Sequence, residues 1–276
     1  MSFRRALLIA LALCTAASVP TRAQDARLVE AAYEITFAGF TGFHLDFTGR
    51  FIGNSYDAQS HAFKEGTMKA LTVHYEGRNR AWGTYLPSGA LPAGGSLSIV
   101  VGDKARTWAV QYGPGGTLQE QFNPEWKPAP KAMIPEDKKR GSIDPLTSVL
   151  FAGMAGDAAC DRTLPTNDGQ RRIDVILKKV GSEPASASGV QGAQGDALIC
   201  EIYTKRVAGE FYDEQPSEAE TERERPIRIW LVRMDDTPFR YPIKLEAKTW
   251  LGTIRGRVLY FRERPLTAQE RRAVGR

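Results

Sequence analysis

The stretch SIDPLTSVLFAGMAGDAACDRTLPTNDGQRRIDVIL, residues 142–177, decides the fold. Asp144 followed by Pro145 is a helix start, a capping carboxylate ahead of a proline at the first helical position. Leu146, Val149, Leu150 and Met154 continue at helical spacing, which predicts a helix ending near Gly156. Asp168 and Gly169 make a turn, and Arg171 with Arg172 begins a strand in which Ile173, Val175 and Leu177 alternate inward. ALICEIYTKRV (197–207) is the strand that pairs with RRIDVILKKV (171–180). The Asp and Cys residues of this stretch therefore have structural roles before chemical ones. Arg171 and Arg172 keep one functional expectation, contact with an acidic headgroup or partner.

The rest of the chain reads as strands. AAYEITFAGFTGFHLDFTGRF (31–51) is rich in aromatic and β-branched residues, with His44, Asp46 and Thr48 alternating against Phe43, Leu45 and Phe47. NSYDAQSHAF, RAWGTYL, SLSIVV, RTWAVQY and GTLQEQF are short strands separated by Gly, Pro and Asp turns. IRIWLV (227–232) and YPIKLEAKTWLG (241–252) resume the sheet, and Thr267 with Glu270 forms a capping box near the end. Between Lys64 and Tyr75, Met68, Leu71 and Tyr75 share helical spacing, predicting a helix there. The Pro-rich 123–141 reads as an extended connection, 181–196 as a flexible connector, and DEQPSEAETERERP (213–226) as a solvated excursion.

At the N-terminus, Arg4 and Arg5 precede nine apolar residues, Ala6 to Cys14, and a small-residue stretch in which Thr21-Arg22-Ala23 suits a signal peptidase. Nine residues are too few to span a bilayer. Leu13 stands where lipoprotein processing wants Gly or Ala, so Cys14 is not expected to carry lipid. The expectation is a cleaved leader, residues 1–23, on an exported protein, periplasmic in a Gram-negative source. A single β-rich domain over 24–265 and a short basic tail over 266–276 follow. Loss of Arg4, Arg5 and Arg22 leaves 34 basic against 32 acidic side chains, a net charge of +2 in place of +5. So even a balance gives no support for nucleic-acid binding.

Cys160 and Cys200 then remain of three cysteines. One disulfide is the simplest outcome in an oxidising compartment, with a metal pair or two free thiols as the alternative. Closing a loop of about 41 residues stabilises by up to ~4 kcal/mol in the chain-entropy model. The expected bond ties the helix exit to a neighbouring strand.

Catalytic motifs are missing. The three histidines, His44, His61 and His74, form no zinc signature. His44 and His61 would approach a metal site only if they faced each other on adjacent strands with Asp46 nearby. No nucleophile elbow, dinucleotide-binding glycine motif or P-loop is present, and the glycines of 113–116 suit a hairpin turn. Aromatics on the strand candidates either fill a sheet core or, on a curved sheet, line an apolar cavity. The lining candidates are Phe43, Phe47, Trp82, Trp108, Trp230 and Trp250.

Several segments together resemble an exported family known as domain of unknown function 3108. They are IPEDKKRGSIDPLTSVL, CDRTLPTNDGQRRIDVIL, ICEIYTKRVAGEF and PIRIWLVRMDDTPFRYPIKLEAKTWLG, spanning about Ile134 to Gly252, with YEITFAGFTGFHLDFTG matching more loosely. The resemblance implies a mainly β fold: a curved antiparallel sheet, half-barrel or β-spiral, wrapped around one or two helices, similar to periplasmic lipoprotein carriers. It brings no catalytic residue. One departure is Asn167, where an aromatic or apolar residue is expected before the Asp-Gly turn.

The expected function is that of a monomeric, non-enzymatic envelope protein without cofactor, metal or transmembrane segment. It would bind an apolar or lipid-like ligand, a lipoprotein moiety or an envelope protein. The alternatives are a hydrolase acting on envelope material through a histidine or an acidic pair, and a structural module that pairs through its sheet edges.

Overall fold

The structure, a computed structural model, describes residues 26–66, 73–86, 89–124, 133–209, 225–234, 239–250 and 252–273. The leader, the centre of the 64–75 stretch and residues 213–224 lie outside the described residues. Among the described residues, thirteen strands form one antiparallel sheet. The first seven are β1 (Ala26–Phe37), β2 (Phe40–Ile52), β3 (Ser55–Lys64), β4 (Tyr75–Leu86), β5 (Gly89–Val101), β6 (Lys104–Tyr112) and β7 (Leu118–Phe122). The other six are β8 (Arg162–Asn167), β9 (Arg172–Pro184), β10 (Ala193–Ala208), β11 (Ile227–Met234), β12 (Arg240–Thr249) and β13 (Gly252–Pro265). Each strand pairs with its sequence neighbour, except that β1 pairs with β13 at the centre of the sheet. The edges are therefore β7 and β8, which follow one another in the chain. Between them lie α1 (Glu136–Lys139) and α2 (Pro145–Met154), and α3 (Ala268–Ala273) ends the description.

The sheet curls until its two edges meet around α2. Its backbone ladder does not join β7 to β8. Residues 141–144 occupy the seam instead. Gly141 N donates to Gly116 O beside β7 (3.3 Å), while Ile143 N donates to Pro165 O and Ile143 O accepts from Asn167 N on β8 (2.8 Å each). Side chains complete the closure. The inward-facing Glu120 of β7 accepts from Trp108 Nε1 (3.0 Å), from Asn167 Nδ2 across the seam (3.1 Å) and from Lys139 Nζ of α1 (2.8 Å). Burial alone would lower the Lys139 ammonium's pKa, but hydrogen bonds to Glu120 and Glu136 raise it.

Space for α2 comes from a row of small side chains. Gly49, Ala58, Ala81 and Gly95 lie opposite one another across β2 to β5. A Cβ on Gly95 would stand 3.1 Å from Asp144 Cγ, so this row sets how close the helix N-terminus comes to the wall. At the other end, a Cβ on Gly153 would lie 2.2 Å from the Arg240 carbonyl of β12. α2 has apolar residues over most of its circumference, as befits a helix enclosed by a sheet.

Two connections differ from the sequence expectation. Residues 123–141 are not extended throughout, because Glu136 and Asp137 at the start and Lys138 and Lys139 at the end favour the single turn of α1. Half of the connector over 181–196 is strand: β9 and β10 remain paired out to Pro184 and Asp196. Residues 185–192 join them, beginning with a short 3₁₀ turn, Ala185–Ser188, in which Ala185 is buried. The disulfide links Cys160, just after α2, to Cys200 in the middle of β10, with Cα atoms 5.7 Å apart.

Removing the Glu120 carboxylate leaves buried Lys139 only its exposed partner Glu136 and strands two buried donors, Trp108 Nε1 and Asn167 Nδ2. Glu120→Ala should cost about 3–5 kcal/mol in urea unfolding. Glu136→Ala, which removes the exposed partner of the same lysine, should cost less than about 1 kcal/mol. Equal losses would show that the seam does not depend on Glu120.

Candidate functional site

The barrel encloses a cavity of about 600 Å³ beside α2. Strand alternation builds its wall. Ala31, Tyr33 and Ile35 of β1 face inward, opposite Phe47, Leu45 and Phe43 of β2. Ile173, Val175 and Leu177 of β9 line it as their spacing predicts, followed by Ile202, Ile229 and Leu245 on β10 to β12. Val149 of α2 also faces the cavity and is 58% accessible, although its helix runs inside the barrel. Burial raises the Tyr33 hydroxyl pKa well above the usual range, yet part of its side chain still borders the void. The few polar groups include Ser60 and Asn79, hydrogen-bonded to each other (3.1 Å), and the Asp168–Arg171 pair at one end.

α2 is locked at both ends. Asp144 Oδ1 accepts from Thr147 N (2.9 Å) and Oδ2 from Thr147 Oγ1 (2.6 Å), while Thr147 Oγ1 also meets Tyr56 Oη (2.9 Å). Ser148 Oγ meets Thr166 Oγ1 on β8 (2.7 Å). Just beyond the C-terminus, buried Arg240 donates to Asp157 Oδ1 (2.7 Å) and to the carbonyls of Asp196 (2.8 Å) and Leu231 (3.2 Å). The cavity wall formed by α2 is thus fixed by hydrogen bonds rather than by a flexible hinge.

The expected lining set needs correction. Phe47 lies on the wall, and Phe43 shares its face but packs edge-on against Tyr75, with centroids 5.2 Å apart. Trp108 faces inward but is packed solid at the seam, against Gly169 and Glu120. Trp82 lies on the outer face over Gly94, because inward-facing Ala81 precedes it. Trp230 alternates with Ile229 and Leu231 and so turns away from this cavity, but it is buried and lines a second one of about 680 Å³ with Ile243 and Leu259, with Lys244 Nζ 4.0 Å from its ring. Trp250 stands 79% exposed in the β12–β13 turn. Missed were Tyr33 and Ile35, whose alternation with Glu34 and Thr36 was available in the sequence. Leu245 was missed too.

Both arginines expected to meet acidic groups already have carboxylates beside them. Arg171 contacts Asp168 Oδ2 through Nε (3.1 Å) and Nη2 (2.9 Å), and Arg172 contacts Asp174 (2.8 Å). Asn167, the departure in the turn, is fully buried. It donates to Glu120 and accepts from Gly169 N (2.8 Å).

The histidines gather on the outer face of β2 to β4. His44 lies between Asp46 and Glu65, 3.0 Å from each, and His61 is 2.7 Å from Glu76. His74, beside β4, is 3.9 Å from Glu76. The Phe63 ring stands between the imidazoles of His44 and His61, 5.1 and 5.0 Å from them. Among the described residues no group of three or more His, Cys, Asp or Glu side chains could hold a metal.

Fold and cavity together define a β-barrel-like protein built around an internal helix. The chain belongs to the family described as protein of unknown function (DUF3108), whose model matches residues 32–258. It is similar to the crystal structure of a β-barrel-like protein of domain of unknown function DUF1849 from Brucella abortus. The TM-score is 0.51 at 11% identity, over 87% of this chain and 99% of that one. That likeness shows the fold alone. No match was found among curated proteins. Among the described residues no helix is long and apolar enough to cross a membrane.

Burial pushes the Asp144 carboxyl up to about 6, against the hydrogen bonds from Thr147 that favour its charged form. A raised carboxyl pKa favours the folded state while the group is protonated, and this contribution is lost as pH rises through about 6. The stability of wild type relative to Asp144→Asn should fall by about 2–3 kcal/mol from pH 4 to pH 7. Parallel stability curves would exclude this assignment.

Proposed function

We propose that this protein binds a single apolar chain, such as the acyl chain of a lipid or lipoprotein, in the cavity beside α2, and serves the cell envelope as an exported, non-enzymatic protein. The observation that carries the proposal is the cavity itself, about 600 Å³ in volume and walled chiefly by aliphatic and aromatic side chains. That size falls within the ~300–1,000 Å³ of small-molecule sites. Each buried methylene contributes about 0.8 kcal/mol. A chain of about 14 methylenes gains ~11 kcal/mol, and after an association cost of ~4 kcal/mol keeps ~7 kcal/mol, a low-micromolar Kd. The disulfide and the apolar leader support export. A hydrolase that used the histidine–carboxylate patch would work on the outer face of β2 to β4, the opposite side of that wall from the cavity.

Delipidated protein titrated with a fluorescent fatty-acid analogue should bind one equivalent. Val175→Trp, which fills the cavity from β9, should weaken binding by at least about tenfold and leave the Cys160–Cys200 bond formed. Wild type that binds no analogue, or Val175→Trp that binds it equally well, would overturn the proposal. Native mass spectrometry of protein purified from the periplasm should show the bound amphiphile directly.

A further inference from the structure

The end of the barrel towards which the cavity extends carries a rim of exposed apolar side chains. Ile35 lines the cavity, and two residues further along β1 Phe37 is already exposed, next to Phe40 (64%) in the β1–β2 turn. The β12–β13 turn abuts it. Ala38 N donates to Thr253 O (3.0 Å), and a Cβ on Gly252 would stand 3.3 Å from Ala38 Cβ, which places Trp250 (79%) beside the two phenylalanines. The rim continues through Val73 and Val101, joined where Gly102 N donates to His74 O (2.8 Å). The opposite end is closed by Phe51, Tyr56, Leu146, Met234 and Phe239 in one packed cluster.

We infer that this rim is a docking surface for a lipid bilayer, through which the cavity exchanges its apolar ligand. The inference rests on the proposed apolar cargo. Three observations favour a bilayer over a protein partner. The apolar groups sit in or beside the turns at one end of the barrel, the end that also carries the cavity-lining Ile35, Leu45 and Ile173. Phe and Trp at such tips suit the headgroup–acyl boundary. Lys248 and Lys104, exposed on two of the same turns and outside any ion pair among the described residues, complement lipid phosphates at that level, with Asp103 as the opposing charge beside Lys104. Scattered exposed apolar residues would need no explanation, but this contiguous group on one end does.

Flotation with vesicles of phosphatidylethanolamine and phosphatidylglycerol tests the inference. Wild type should float with the vesicles and Trp emission should shift to the blue. The double variant Phe40→Ser with Trp250→Ser should float at least about tenfold less, yet bind the fatty-acid analogue in solution as wild type does. Val175→Trp should float normally. If the double variant floats as wild type does, or wild type does not float, the rim is not a bilayer surface, whatever the analogue does. If wild type floats but binds no analogue, the cargo reading fails and the exchange role falls with it. Capture by a protein partner that the double variant loses, without vesicle binding, would also overturn the bilayer assignment.

Discussion

One carboxylate holds the curled sheet shut. A thirteen-stranded antiparallel sheet has two edges, and each exposes unpaired backbone groups that must be satisfied or covered. In this chain the edges meet without a mutual ladder. Glu120 reaches across from one edge to Asn167 on the other while also binding Trp108 and Lys139. Residues 141–144 satisfy the backbone of β8 and then lead directly into α2. The segment that seals the barrel therefore also aims the helix into it. Closure and filling are one event, which is why the edge strands are consecutive in the chain although they lie at opposite ends of the sheet.

The cavity follows from this arrangement. A helix of ten residues cannot fill a barrel of thirteen strands. α2 is drawn towards β3 to β5 by the row of small residues, and Gly153 brings its end against β12. Ile173, Val175 and Tyr33 are left facing open space. Hydrogen bonds at both helix ends resist collapse into that space. Asp144 is the informative group here, because burying it raises its pKa and so costs stability at neutral pH. Asparagine would cap the same amide without the charge.

Much of the architecture was legible in residues 142–177. Asp144-Pro145 marks the helix start, the Ile173–Leu177 alternation marks an inward face, and two surviving cysteines mark the staple. Each signal is local, so each survives without knowledge of neighbours. What could not be read was global. Whether a tryptophan faces in or out depends on strand register, and a shift of one residue reverses every side chain. Trp82 was misplaced on that account, and Trp230 lines a second cavity rather than the one beside α2. Nothing in the sequence shows that a helix presses against the wall at Gly49 and Gly95. Asn167 departed from the expected turn because its partner, Glu120, lies 47 residues away in another short strand.

The aromatic residues divide by position rather than by type. Phe47 is on the wall of the cavity, Trp108 is locked into the seam, Trp82 lies on the outer face, Trp230 is buried beside a second cavity, and Phe40 and Trp250 project from one end. An aromatic-rich composition is therefore compatible with a filled barrel, a hollow one or a membrane-facing one. The geometry separates these roles. Apolar area left inside beside α2 has no protein atoms to cover it, and the two most exposed apolar side chains that are aromatic, Phe40 and Trp250, stand at the end towards which that space extends. Both surfaces lose contact with water if an amphiphile passes between them, and a single ligand class then accounts for both.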